Sequence, residues 1–317
     1  MNKIKLLAIA SMCSMLSMTT LAQTVSLIPN WEVGDTASYS FKQKVTKKSG
    51  KESSVVTNNL NIDLKVVDKN SEGYILNATY HNLTSNDKFM QALYSATENL
   101  SFDYKLDING RLIGLADSTK AINDSKLMLE QASKKEPILL LVSKMMTGDM
   151  YVSGFLEDVN YIHSLNGYTF ELKNTIEYPI KKSTMFGPIA ASNNYTLESV
   201  KGNIVNVKST SVMENDILIP ALVDFSMEKI KGIKDGMSGL IQSKDENMDE
   251  KKFMENQRIE IEQNIKQNFD LTMMDKFKYS YNKSTQWIAS LEGITTLKGK
   301  VKDKDTNVVT EITIKKK

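Results

Sequence analysis

Asn59–Tyr80 reads NLNIDLKVVDKNSEGYILNATY, and its alternation decides the fold. Leu60, Ile62, Leu64 and Val66 fall on one side of an extended chain. Tyr74, Leu76, Ala78 and Tyr80 do the same after Asp68–Gly73, which has turn chemistry. Just upstream, Tyr39, Phe41 and Val45 give a third apolar face, separated from the second by Lys47–Lys51. Three segments with one dry and one wet side predict an antiparallel meander. The rest of the chain must extend this sheet or cover its dry face.

Similar alternation recurs downstream. Leu100, Phe102, Tyr104 and Leu106 lead to Asn109-Gly110, a strong hairpin signal, and then to Leu112, Ile113 and Leu115. Tyr168, Phe170 and Leu172 form a further strand. Tyr195–Ser199 and Ile204–Val212 form two more. Phe277–Tyr281, Trp287–Leu297 and Val308–Ile314 close the series. Tyr151–Leu165 reads as mixed around Gly154, and Tyr178–Ile189 as irregular around Pro179 and Pro188.

Helical spacing appears over Asn86–Asn99 and again from Asp117 or Ser118 to Ser133, with Ile122, Leu127, Met128 and Gln131 near one face. Pro137 opens an apolar run, Ile138–Val142 with Met145 and Met146, that Gly148 stops; apolar residues nearly all round predict a buried helix or a cavity wall. A helical insertion at about 216–267 separates two groups of strands. Its first helix keeps apolar spacing from Leu218 to Ile241. For 253–274, both helix and strand periods fit; the Gln, Glu and Lys content favours helix.

The expected fold class is α+β: a curved, half-barrel-like antiparallel sheet with helices covering one face and a helical insertion. Residues 1–22 read as a signal peptide, from Lys3 and Lys5 through the apolar run Leu6–Met18 to Thr20-Leu21-Ala22, with cleavage expected after Ala22. Residues 23–317 are expected to form a single β-rich domain in the periplasm or outside the cell. Without Lys3 and Lys5 the 40 Lys and Arg become 38, against 38 Asp and Glu. The balance is neutral, so nothing points to nucleic acid. Cys13, the one cysteine, lies within the signal, so no disulfide is expected in the mature chain.

Chemistry-bearing motifs break at their decisive positions. His81 and His163 are the only histidines, too few for a His- and Cys-based zinc site. Gly236–Leu240 approaches a nucleophile elbow but ends on Leu240. Gly293–Lys300 approaches a phosphate loop but is followed by Val301. No catalytic residue, metal or cofactor is expected.

Trp31-Glu32-Val33-Gly34-Asp35 with Tyr39, and Tyr104–Leu112, resemble two stretches found in uncharacterised secreted β-rich proteins of Gram-negative bacteria. In architecture that set is similar to periplasmic lipoprotein carriers of the Lol type. The resemblance implies a strongly curved sheet whose apolar concave face, covered by helices, receives acyl chains.

The expected function is non-catalytic binding or carriage of a hydrophobic ligand, a lipid or acyl chain. The candidate lining residues are Leu140, Leu141, Met145, Met146, Leu222, Ile230, Ile233 and Met237, with the helix at 218–241 as a lid. The alternatives are an envelope interaction or assembly protein without a small ligand, and third a carboxylate-dependent hydrolase. The partners expected are a hydrophobic small molecule or an envelope protein, with no nucleic acid and no permanent membrane span.

Overall fold

A computed structural model describes residues 24–137, 139–140, 148–184, 187–238, 250–301 and 304–317. The predicted signal peptide, Cys13, Leu141, Met145 and Met146 lie outside the described residues.

The meander forms as the alternation requires. β2 (Thr36–Ser49), β3 (Glu52–Asn70) and β4 (Gly73–Ser85) pair antiparallel, Tyr39 opposite Ile62 and Ile62 opposite Tyr80. The dry-face residues of all three strands are buried except Val45, which is half-buried. Each fully buried Leu or Ile contributes roughly 1.5–3 kcal/mol relative to exposure. β5 (Ser101–Asp107) and β6 (Leu112–Leu115) extend this half.

The other half comprises β8 (Thr175–Thr184), β9 (Gly187–Lys201), β10 (Ile204–Met213), β11 (Phe269–Asn282), β12 (Trp287–Val301) and β13 (Lys304–Lys316). The halves join where β13 pairs with β2, giving one 11-stranded sheet with order β6-β5-β4-β3-β2-β13-β12-β11-β10-β9-β8. The sheet is curved and open, with β6 and β8 at its two edges. Register shifts in β3, between Asn59 and Asn61 and between Val66 and Asp68, bend that strand. A short separate pair joins β1 (Thr24–Ser26) to β7 (Thr169–Glu171).

The segment expected to be irregular around Pro179 and Pro188 is instead strand. β8 is an edge strand, where a proline is tolerated, and Pro188 stands at the start of β9.

Helices cover the dry face. α1 (Lys88–Ala96) and α2 (Ser118–Ala132) start on Asp87 and Asp117, whose carboxylates accept from the amides of Met90 and Lys120. α2 turns Ser125 and Leu129 inward, and the expectation that Leu127 shares the apolar face is corrected: it is exposed. α3 (Gly148–His163) runs straight through Gly154, where a break was expected. Its Val159 and Ile162, with Leu165 just beyond, join the main core.

Between β10 and β11 the chain leaves the sheet for α4 (Asn215–Ser238) and α5 (Glu250–Asn268), then returns to pair Met213 with Met273. Residues 250–268 are thus helix, as their polar content favoured, and the strand begins at Phe269. Leu218 packs on Ile189, Ala191, Met213 and Leu271 of the sheet. Leu140 is corrected too: it is 39% exposed, whereas its neighbour Leu139 is buried against α1 and α2. No helix among the described residues is long and apolar enough to cross a membrane.

Candidate functional site

Among the described residues, two cavities on the dry face are lined by α3, and Glu157 borders both. Their difference follows from what the strands beneath them present.

The apolar cavity has a volume of about 320 Å³, at the small end of the ~300–1,000 Å³ of ligand pockets. Phe41, Leu60 and Tyr80 form its floor from β2, β3 and β4. Leu93 and Tyr94 of α1 and Leu129 of α2 form its walls. α1 is fixed over the end of β4 by side chains that bond the backbone there. Glu98 accepts from the amides of Asn82 (2.8 Å) and Leu83 (3.2 Å), and Gln91 accepts from the amide of Ser85 (2.8 Å).

The polar end of this cavity belongs to α3, which brings Glu157 and Asp158 into its lining. Burial raises the Asp158 carboxyl to about 7, helped by the Glu157 charge and offset in part by the Tyr80 hydroxyl. Burial also raises Glu157, with Lys182 opposing it. Glu157 is exposed whereas Asp158 is half-buried, so water screens Glu157 more and Asp158 carries the larger consequence.

Tyr80 is 7% exposed, and its buried hydroxyl faces the Asp158 carboxyl without forming a well-aligned hydrogen bond to it. Burial, then the nearby Asp158 charge, pushes this phenol well up, and burial with both carboxylates does the same to Tyr94. Two phenols and two carboxylates therefore converge at one end of a greasy slot.

The second cavity, of about 380 Å³, is walled by Tyr161, Tyr168, Tyr195, Phe277 and Tyr279. A polar belt crosses the sheet here. Lys182 pairs with Asp275, with side-chain exposures of 13% and 4%. Ser211 and Thr295 donate to the same carboxylate at 2.8 and 2.7 Å. With both oxygens engaged, Asp275 serves to hold β8, β10 and β12 together across the belt.

α3 is anchored by His163. The Asn166 amide donates to the Gly110 carbonyl (3.1 Å) and faces His163 Nδ1 (3.1 Å), so Nδ1 accepts and Nε2–H points at the Tyr104 hydroxyl, 2.8 Å away. Burial lowers the imidazole to about 3, which keeps it neutral. The ring also lies 5.8 Å from Trp31, which stacks on Trp287 at 4.1 Å. The stretches around Trp31 and Gly110 thus meet at His163, and their role is packing.

The residues expected to line a ligand site are placed elsewhere or not described. Leu222 is buried between α4 and α5 with Ile219, Val223 and Ile265. Ile230 is half-buried on α4. Ile233 and Met237 are helical in backbone, without described side chains. Among the described residues, neither Leu140 nor any residue of α4 lines the two cavities on the dry face. Tyr80 was legible as a dry-face residue, but Glu157 and Asp158 were missed. The stripe Leu156, Val159 and His163, at spacings of three and four, was the signal that places the acidic pair on a helix.

An open antiparallel sheet with helices over its dry face, and an apolar slot between them, defines the class of this molecule. No protein-family profile and no curated protein matches the chain. Among solved structures it is similar to lipovitellin, described for its lipid–protein interactions, at TM-score 0.40 and 10% identity, over 91% of this chain and 25% of that one. The chain thus spans a quarter of the length of that protein. It is similar also to an outer membrane channel from Pseudomonas putida F1, at TM-score 0.17 and 8% identity, over 91% of this chain and 97% of that one. Neither score carries an argument about function.

Proposed function

We propose that the chain is an exported, non-catalytic carrier that binds a hydrophobic ligand in the slot between α1 and β2–β4, and that it works in the periplasm. The observation that carries this reading is an apolar cavity on the dry face whose polar end is formed by the Tyr80 hydroxyl and the Asp158 carboxyl. A filled core leaves no such slot, whereas a ligand with an apolar body and a polar tip matches its shape and its polar end.

The test is uptake of N-phenylnaphthylamine, whose fluorescence rises in apolar surroundings, by the purified exported protein. The reading expects saturable enhancement that Leu60→Trp abolishes, because indole fills the slot. No enhancement from the folded wild type overturns it. Envelope assembly through a sheet edge is the second reading. β6 has only four residues and β8 carries Pro179, so both edges are poor templates for strand addition.

A further inference from the structure

Building on the carrier reading, we propose that the slot selects its ligand by head group: it takes a single-chain amphiphile with a cationic head, the ammonium seated between Asp158, Glu157 and the phenols of Tyr80 and Tyr94. Among the described lining residues the charged groups are Glu157 and Asp158 alone, both acidic. Among the described residues, the facing elements add no cation to the lining. β2 offers Phe41 and Gln43, β3 Leu60, α1 Tyr94, and α2 Ser125 and Leu129. Lys182 acts on Glu157 in the second cavity, which Glu157 also lines, and is already paired there with Asp275.

Each candidate head meets this set differently. An ammonium donates to the Tyr80 oxygen and to the carboxylates, and it offsets two neighbouring like charges, of which the half-buried Asp158 is the less screened. Its charge also sits well beside phenol rings. A hydroxyl gives the hydrogen bonds without the charge. A carboxylate accepts from Tyr80 but adds a third negative charge, which is the worst case. Burial that raises Asp158 to about 7 makes the choice depend on pH, since protonation below that removes half of the negative pair.

The experiment compares dodecylamine, dodecanol and dodecanoate, each below its aggregation concentration, as competitors of N-phenylnaphthylamine on the full exported protein. At about pH 8 the amine should bind tightest, by about tenfold or more over dodecanoate, with dodecanol between them. At about pH 5.5 that preference should shrink severalfold, while the amine itself stays protonated. Asp158→Asn should bring amine and alcohol within about twofold of each other. If that variant does not fold, the wild-type pH series carries the test. Dodecanoate binding as tightly as the amine at about pH 8 overturns the head-group inference and leaves the carrier reading standing. If none of the three competes because the probe itself does not bind, the carrier reading falls.

Discussion

Asp158 and His163 sit five residues apart on α3 and respond to acid in opposite ways. The Asp158 carboxyl is raised to about 7 in the fold, against about 3.9 in an unfolded chain. The folded state therefore holds that proton more tightly, and stability falls as pH rises from about 4 to 7, by up to roughly 4 kcal/mol. His163 is lowered to about 3, against about 6.5 unfolded. Its contribution is fully present above about pH 6.5 and is lost as pH falls toward 3. Between about pH 4 and 6.5 the two slopes oppose each other, so the wild type should show a nearly flat stability profile there. Asp158→Asn removes one slope. It should melt higher than wild type at about pH 8 and lose stability on acidification below about 6.5. Urea midpoints across pH check this; a variant profile parallel to wild type contradicts the placement of Asp158.

Gly110 is the second residue-scale case. Its φ is +81°, and an added Cβ would lie 2.4 Å from Pro29 Cγ. Asp107 fixes the turn by accepting from the amides of Asn109 (2.9 Å) and Arg111 (2.8 Å), so the backbone cannot swing away cheaply. Gly110→Ala should cost roughly 1–3 kcal/mol in chemical denaturation. An unchanged midpoint would mean that this turn does not dock on Pro29.

At the scale of elements, α3 decides the site. It borders both cavities, supplies both carboxylates and is pinned at one end by His163. Gly154 lies in its middle with nothing within 4 Å of an added Cβ. Gly154→Ala should therefore raise stability by roughly 0.5–1 kcal/mol through helix propensity. A loss instead would show that the slot closes on that position.

The strands of the first half were legible because one face is dry and the other wet, so period two survives in the sequence. α3 was not, because Gly154 interrupts the pattern and a helix interior accepts glycine when packing holds both ends. β8 was hidden by Pro179, which an edge strand tolerates. The pairing of β13 with β2 was not readable either, since no local signal specifies a contact 267 residues apart such as Lys44 with Glu311. The site inherited these blind spots. Periodicity located Phe41, Leu60 and Tyr80 on the dry face, but only the three-dimensional path of α3 brings acids to their rim.

At the scale of the molecule, one open sheet carries three kinds of cover. α4 and α5 cap the far end through Leu218 and through their own contact at Leu222 and Ile265. α3 spans the middle over the polar belt. α1 and α2 roof the meander but leave the slot beneath them. A carrier needs this division, because the part that admits a ligand must open without loosening the rest. Native mass spectrometry of the protein purified from its own envelope tests that account most directly. The account predicts a species heavier by one amphiphile in the wild type and the bare mass in Leu60→Trp. A wild type that flies only at its bare mass, while folded and purified without detergent, would contradict it.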